Sequence, residues 1–291
     1  MLVTPPGDLL PGGRFSSWRP RAPRLVLCDV DGTLVGPSPL PTSRVAQAVS
    51  RSRSAGLRVG VATGREWAGV TRIVSALALD GPHVLHNGAE VRDGGKVVAR
   101  WPLPAEVARS LVELCLGRGW YAELYVKDGF VVTDVRTPAR AHWDLLQATP
   151  AGTTADLDLD RDVVIKATLI VFDPADLDVT TAALTAIGAN PAVGFAPLTP
   201  QLRYVNVTRP DVDKGRALAC AAERAGLDLA EVAVLGDGYN DLPLLAAAGI
   251  AIAMGQAPAE VHAAAHLIAP GVLADGAATA LHALAALTSG T

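Results

Sequence analysis

The stretch Cys28-Asp29-Val30-Asp31-Gly32-Thr33-Leu34-Val35 follows directly on an apolar run, Leu25-Val26-Leu27-Cys28. Along an extended strand, residues two apart share a face, so Asp29 and Asp31 would point the same way. Gly32-Thr33 is where the chain must turn. A buried apolar strand, two acids at its carboxyl end and a glycine turn form the layout of a reactive site on a parallel sheet. One carboxylate there can attack an electrophile while its neighbour carries the proton. Taken alone, the same residues also suit an Asp-Gly turn closing a hairpin. The remainder of the chain has to separate the two.

Outward from this stretch the pattern alternates. Strand Arg24–Val30 is followed by a helix over Thr42–Ala55, with Thr42 or Ser43 as its N-cap and Gly56 closing it. Leu57–Ala62 reads as a second buried strand, then come a helix over Glu66–Ala78 and a short strand, His83–His86. Near-continuous apolar strands separated by helices predict a parallel, doubly wound α/β sheet. From Ala89 the character changes. Hairpin signals at Asp93-Gly94-Gly95 and Asp128-Gly129 mix with helices over Ala105–Leu116, Ala139–Leu146 and Ala175–Ile187. The strands expected there are Trp120–Val126, Val163–Phe172, Val193–Ala196 and Leu202–Val207. The first rhythm resumes with helix Lys214–Ala225, strand Val232–Leu235, helix Leu242–Ala248 and strand Ile250–Ala253. One α/β unit, residues 24–89 and 208–291, is thus interrupted by an α+β insert, residues 90–207.

Composition narrows the class of protein. Of 291 residues, 50% are hydrophobic and 19% charged, with a net charge of −4. That is ample for a core, and no basic surface argues for nucleic acid. The longest apolar candidate for a membrane span, Leu242–Met254, is too short and is broken by Pro243 and Gly249. Residues 1–23 hold five Pro, three Gly and three Arg. Without a continuous apolar segment they do not read as a signal peptide, and a mostly disordered leader is expected. Cys28, Cys115 and Cys220 are far apart in apolar contexts, which reads as buried free thiols in a reducing cytoplasm.

Other polar groups fall just past strands of the interrupted unit or at helix starts. Thr63-Gly64-Arg65 offers a hydroxyl and backbone N–H groups suited to a phosphate, or a plain turn. Lys214 opens a helix, where the dipole is already positive, which suggests an anionic ligand, although a single surface Lys is usually just solvated. Gly236-Asp237-Gly238-Tyr239-Asn240-Asp241 follows strand Val232–Leu235 and sets Asp237 and Asp241 one helical turn apart, an arrangement that a capping Asp and a solvated one would also give. Asp237 with Asp29 supplies hard oxygen ligands of the kind Mg²⁺ takes. Clustered carboxylates without a cation would repel one another.

Asp29-Val30-Asp31-Gly32-Thr33, Thr63-Gly64-Arg65, Lys214-Gly215 and Gly236-Asp237-Gly238-Tyr239-Asn240-Asp241 resemble, in order, the four motifs of the haloacid dehalogenase (HAD) superfamily of phosphatases. The insert between the second and third motifs resembles the Cof-like subgroup with its large α/β cap, subclass IIB. Asn87-Gly88-Ala89 and Ala253-Met254-Gly255-Gln256-Ala257 resemble that subgroup's linker and post-motif turn. One departure is the acidic run Arg209-Pro210-Asp211-Val212-Asp213 before Lys214, where a glycine would be expected.

The resemblance implies a Rossmann-like core with an inserted cap, and a Mg²⁺-dependent phosphatase. Its substrate would be a small phosphorylated metabolite of the sugar or polyol phosphate type. It implies Asp29 as nucleophile, Asp31 as acid–base and metal ligand through its carbonyl, and Thr63 and Lys214 on the phosphoryl oxygens. Asp237 would bind the metal directly and Asp241 in its outer sphere. Gly64, Arg65, Asn87 and Asn240 would lie by the phosphate or facing the cleft. A phosphosugar mutase of the same superfamily and a non-enzymatic phospho-acceptor module are the alternatives. The Asp29/Asp31 spacing and the insert speak against the second, and Asp31 speaks against a dehalogenase. A homo-oligomer is compatible with all of these readings. Trp101, Trp120, Tyr121, Tyr125 and Trp143 are candidates for lining the cleft, although aromatic residues in such elements are more often core.

Overall fold

The computed structural model describes residues 4–19, 21–127, 129–146, 148–194, 199 and 201–289. Its central sheet has six strands in the order Leu10–Pro11, Leu267–Ile268, Ile250–Ala253, Val232–Gly236, Leu25–Cys28, Arg58–Val61. All neighbours run parallel except Leu10–Pro11, which pairs antiparallel with Leu267–Ile268. Leu25–Cys28 is central and buried along its whole length.

The strands are apolar on both faces because both are covered. Val26, Cys28, Val59, Val61, Leu235 and Ile252 pack into one core with Val45, Val49 and Leu281 from helices Ser43–Ser54 and Gly276–Ser289. Leu25, Leu27, Val232, Val234 and Ala251 turn the other way, against Ala217, Leu218 and Leu245 from helices Lys214–Arg224 and Leu242–Ala247. Thr42 caps the first of these helices, its side chain accepting from the Val45 N–H at 3.3 Å.

The insert carries a five-stranded antiparallel sheet in the order Asn190–Gly194, Arg203–Thr208, Lys166–Val171, Ala122–Val126, Gly129–Val132. Leu124, Ala167, Leu169, Val205 and Val207 form its apolar face with Leu111 and Leu184 of helices Ala105–Arg118 and Leu177–Ala186. By strand alternation Tyr125, Lys166, Thr168, Tyr204 and Asn206 occupy the opposite face. Asp128, Phe195 and Ala196, parts of the expected second hairpin and of one expected strand, lie outside the described residues.

Two expectations need correction. Residues 4–19 are not a disordered leader. Leu10–Pro11 adds the sixth strand, Arg14 donates to the Leu245 carbonyl at 2.9 Å, and Trp18 is 1% exposed. The bonded strand edge and the buried indole supply what ordering such a segment requires. The helix expected over Glu66–Ala78 is only Thr71–Ala76. The preceding residues are held otherwise: Thr63 Oγ1 accepts from the Arg65 N–H, and the Arg65 side chain donates to the Gly69 carbonyl.

The hairpin of Glu90–Asp93 and Lys96–Arg100, expected within the insert, pairs with His83–Leu85 in a separate three-stranded sheet. Its Val91 belongs to the core packed around Leu25 and Leu27.

Candidate active site

Asp29, Asp31, Thr63, Gly64, Arg65, Asp237, Gly238 and Asn240 come together on one cavity of about 450 Å³ between the central sheet and the insert. Each comes from the end of a central strand or the turn beyond it, as expected for a parallel sheet whose carboxyl ends splay apart. Asp29 follows Leu25–Cys28, and its N–H donates to the Leu235 carbonyl at 2.8 Å, which locks it to the neighbouring strand.

Asp29 Oδ1 accepts from Lys214 Nζ at 2.7 Å, and the same ammonium donates to Asp241 Oδ1 at 2.6 Å. Burial would lower the Lys214 pKa, but Asp241 and Asp29 outweigh it and hold the ammonium above its ordinary range. Burial pushes the Asp29 carboxyl well up; Lys214 opposes this, and Asp241 and Asp237 add to it. The acidic run before Lys214 has a structural reason. Asp213 caps the helix by accepting from the Arg216 N–H at 2.8 Å, and Asp211 pairs with Arg209 and Arg216. Those acids are occupied outside the site, so Lys214 faces inward toward Asp29 and Asp241.

The turn after Asp29 depends on Gly32, whose φ is +87° and where a Cβ would collide with Asp237 Oδ2. A side chain there would be both strained and obstructed. Asp237 accepts from Thr33 Oγ1 at 3.2 Å and from Gln256 Nε2 at 3.2 Å. Burial, with Asp241 adding to it, pushes its carboxyl up to about 7. Asp241 is fully engaged: Oδ2 accepts from the N–H groups of Asp237 and Gly238, both at 3.0 Å. One oxygen each of Asp29, Asp237 and Asp241 lies within 4.8 Å of the others.

The Asp31 carboxylate is held away from that triad by Arg65, Nη2 to Oδ1 at 2.5 Å and Nε to Oδ2 at 2.8 Å. Asn240 Nδ2 donates to Asn87 Oδ1 at 3.1 Å, and the buried Asn87 Nδ2 has no partner. Asn87 takes a left-handed φ of 55°, followed by Gly88 at 102°, where a Cβ would press on the Asp213 carbonyl. Asn87 does not line the large cavity. It lines a smaller one beside Lys214 and Asn240.

From the insert, Tyr125, His142, Lys166, Thr168, Tyr204 and Asn206 complete the large cavity. Of the five candidate aromatic residues, Tyr125 alone lines it, and the others take the core role that such residues more often have. Tyr121 and Trp143 are buried in the insert's own core, Trp101 packs against the central unit, and Trp120 joins the insert's other core. The sequence reading missed Lys166 and His142, and quoted Gln256 only as part of a turn, without a role at the site. Lys166 had a visible signal: it is one charge inside the apolar run Val163–Phe172. Cys28, Cys115 and Cys220 are free; the first two are buried, whereas Cys220 is half-buried.

Residues 26–281 match the family model of haloacid dehalogenase-like hydrolases, and the chain belongs to that family. It is a phosphatase of the superfamily's Cof-like type, a phosphoric monoester hydrolase. It is 27% identical to the pyridoxal phosphate phosphatase YbhA of Escherichia coli K12, over 84% of this chain and 92% of that protein. It is 29% identical to the HMP-PP phosphatase of Escherichia coli strain 55989, over 82% of this chain and 87% of that protein. The solved structure of the HAD subclass IIB sugar phosphatase BT4131 superposes with a TM-score of 0.77 at 24% identity, over 88% and 97% of the two chains. Among the described residues, no helix is long and apolar enough to cross a membrane.

Proposed function

We propose that this protein is a Mg²⁺-dependent phosphatase that hydrolyses a small phosphorylated metabolite, of the sugar or polyol phosphate type, through an aspartyl phosphate. The observation that carries this reading is the Asp29 carboxylate. One oxygen accepts from the buried Lys214 ammonium, and Asp29 lines a cavity shared with Asp31 and Asp237. The related phosphatases for pyridoxal phosphate and HMP-PP, and the sugar phosphatase of like fold, support a small phosphomonoester.

In this reading Asp29 Oδ2, which makes no hydrogen bond among the described residues, attacks phosphorus. The ester P–O bond breaks, and the departing alkoxide takes a proton from Asp31. Asp31 then removes a proton from water, which attacks the acyl phosphate and releases inorganic phosphate and Asp29. Lys214, the Thr63 hydroxyl and the Gly64 N–H hold phosphoryl oxygens and offset their charge, with Asn240 beside the phosphate.

The donor set fits a divalent cation. Three carboxylates offer oxygens within 4.8 Å of one another, and burial, with Asp241 adding to it, raises the Asp237 carboxyl. Asp29, Asp237 and the Asp31 carbonyl would hold Mg²⁺. Asp241, its oxygens already engaged by Lys214 and two N–H groups, would act from the outer sphere. When bound, the ion neutralises negative charge between the carboxylates and the phosphate. The free thiols are consistent with a cytoplasmic location.

Phosphate release from a panel of phosphomonoesters, with Mg²⁺ and with chelator, tests the assignment together with Asp29→Asn. We expect turnover with Mg²⁺, none with chelator, and a loss of about 10²-fold or more in the variant. Wild-type rates in a folded Asp29→Asn protein would remove Asp29 from the mechanism.

A further inference from the structure

Three Lys or Arg side chains are buried among the described residues: Arg65, Lys166 and Lys214. Two of them have carboxylate partners, Arg65 with Asp31 and Lys214 with Asp29 and Asp241. Lys166 is different. Its Nζ donates to the Gly64 carbonyl at 2.9 Å and to Asn206 Oδ1 at 3.1 Å, and sits 4.3 Å from the centre of the Tyr125 ring. Every one of these neighbours is neutral, and among the described residues no carboxylate forms an ion pair with it. An ammonium taken out of water without a counter-charge is costly, and side chains in that position are normally paired.

The nearest acids do not serve as partners. The Glu123 carboxylate is already occupied by the hydroxyls of Tyr121 and Tyr125, the Trp143 indole N–H and His142 Nδ1. Glu66 is itself pushed toward its neutral form by burial. Burial accordingly lowers Lys166 to about 8, against the pull of Glu123 and Glu66, so the group remains mostly charged at neutral pH.

Its position gives the charge a use. Lys166 lines the same cavity as Asp29 and Asp31, and its bond to Gly64 sets it beside the Thr63-Gly64 turn. Thr168 and Asn206 stand next to it on the same sheet face, paired in register and bonded to each other at 3.0 Å.

We propose that Lys166 is the specificity-determining residue of the insert, and that the preferred substrates are phosphate monoesters whose alcohol half carries a second oxyanion, a carboxylate or a second phosphate, which pairs with the Lys166 ammonium. The inference rests on the phosphatase reading above. The contact with Gly64 keeps that second charge within a few bonds of the ester, so the substrate is small. His142, its Nδ1 fixed on Glu123, lines the cavity as a further polar contact for the same end of the substrate.

The test compares matched probes with full-length enzyme and Mg²⁺: 2-phosphoglycolate, ethylene glycol bisphosphate, the neutral 2-hydroxyethyl phosphate, and p-nitrophenyl phosphate as a check on turnover. One or both charged probes should exceed the neutral one in kcat/KM by about tenfold or more, the scale of a hydrogen bond to a charged group. Preference for the first identifies a carboxylate, and for the second a phosphate. Lys166→Met should bring the ratio close to one, chiefly through KM, and Lys166→Arg should retain part of it. Two results would overturn the proposal: a wild type that turns over p-nitrophenyl phosphate without favouring either charged probe, or a Lys166→Met protein that keeps the wild-type ratio. No release from any probe, including p-nitrophenyl phosphate, would overturn the phosphatase reading and this proposal with it. The wild-type comparison is decisive even where a variant fails to fold.

Discussion

Arg65 grips both carboxylate oxygens of Asp31, at 2.5 and 2.8 Å, and is fixed in turn by the Gly69 carbonyl at 3.0 Å. A bidentate guanidinium sets orientation as well as charge. The proposed acid is therefore aimed by a neighbour whose own position depends on the turn between Thr63 and Thr71, and proton donation requires that pair to open. Arg65→Met should leave Asp31 free to rotate and lower kcat on an alkyl phosphate by about 10- to 100-fold, as expected for a misdirected general acid. An aryl phosphate, whose leaving group needs little protonation, should lose much less. Equal losses on both, measured side by side, would show that Arg65 acts on something other than Asp31.

Lys214 is the sole cation bonded to two buried carboxylates, Asp29 and Asp241, among the described residues. Removing one member of such a group leaves like charges facing each other, at about 3–5 kcal/mol. Lys214→Met should lower the urea midpoint accordingly. Added Mg²⁺ should restore more stability in the variant than in the wild type, because the ion would supply the missing positive charge. A variant as stable as wild type in chelator would contradict the charge balance inferred here.

Much of this architecture was legible because parallel sheets announce themselves. Leu25–Cys28, Arg58–Val61, Val232–Gly236 and Ile250–Ala253 are apolar on both faces, and the site residues fall at their carboxyl ends. Other features depended on contacts far apart in the chain. Nothing in Leu10–Pro11 predicts a strand until Leu267–Ile268 offers an edge, and the Pro- and Gly-rich composition around it argued for disorder. The pairing of Arg65 with Asp31, and of Lys166 with the Gly64 carbonyl, spans 34 and 102 residues and has no local signature. Glu123 and Lys166 were charges inside apolar strands, a pattern that signals a buried polar network without naming its members.

The N-terminal segment provides a direct test of that correction. Trp18 is 1% exposed and stacks near His266, with ring centroids 6.5 Å apart. Trp18→Ala should cost about 3–5 kcal/mol in urea unfolding, the usual scale for emptying a large aromatic site. Deleting residues 1–19 should also bare the edge of Leu267–Ile268 and promote self-association, seen by light scattering. A truncated protein with unchanged stability would restore the view of a dispensable leader.

His83 and His266 give stability a pH dependence of known sign. Each is buried, and its Nδ1 accepts from a backbone N–H, that of Val61 at 3.4 Å and that of Ala251 at 3.0 Å. Burial, the main cause at both positions, lowers each from 6.5 to about 4. Between those values the unfolded chain binds protons that the folded chain does not, so stability rises with pH across the window. The contribution is complete above pH 6.5 and is lost as the pH falls toward 4. Each tenfold weakening of proton binding on folding corresponds to about 1.4 kcal/mol. The raised carboxyls of Asp29 and Asp237 work in the opposite direction. The difference between wild type and His266→Asn therefore isolates the imidazole, since the Asn side-chain oxygen can still accept from the Ala251 N–H. Urea midpoints at pH 7.5, 6.0 and 5.0 should fall more steeply in the wild type than in the variant, and parallel slopes would mean that His266 does not titrate on unfolding.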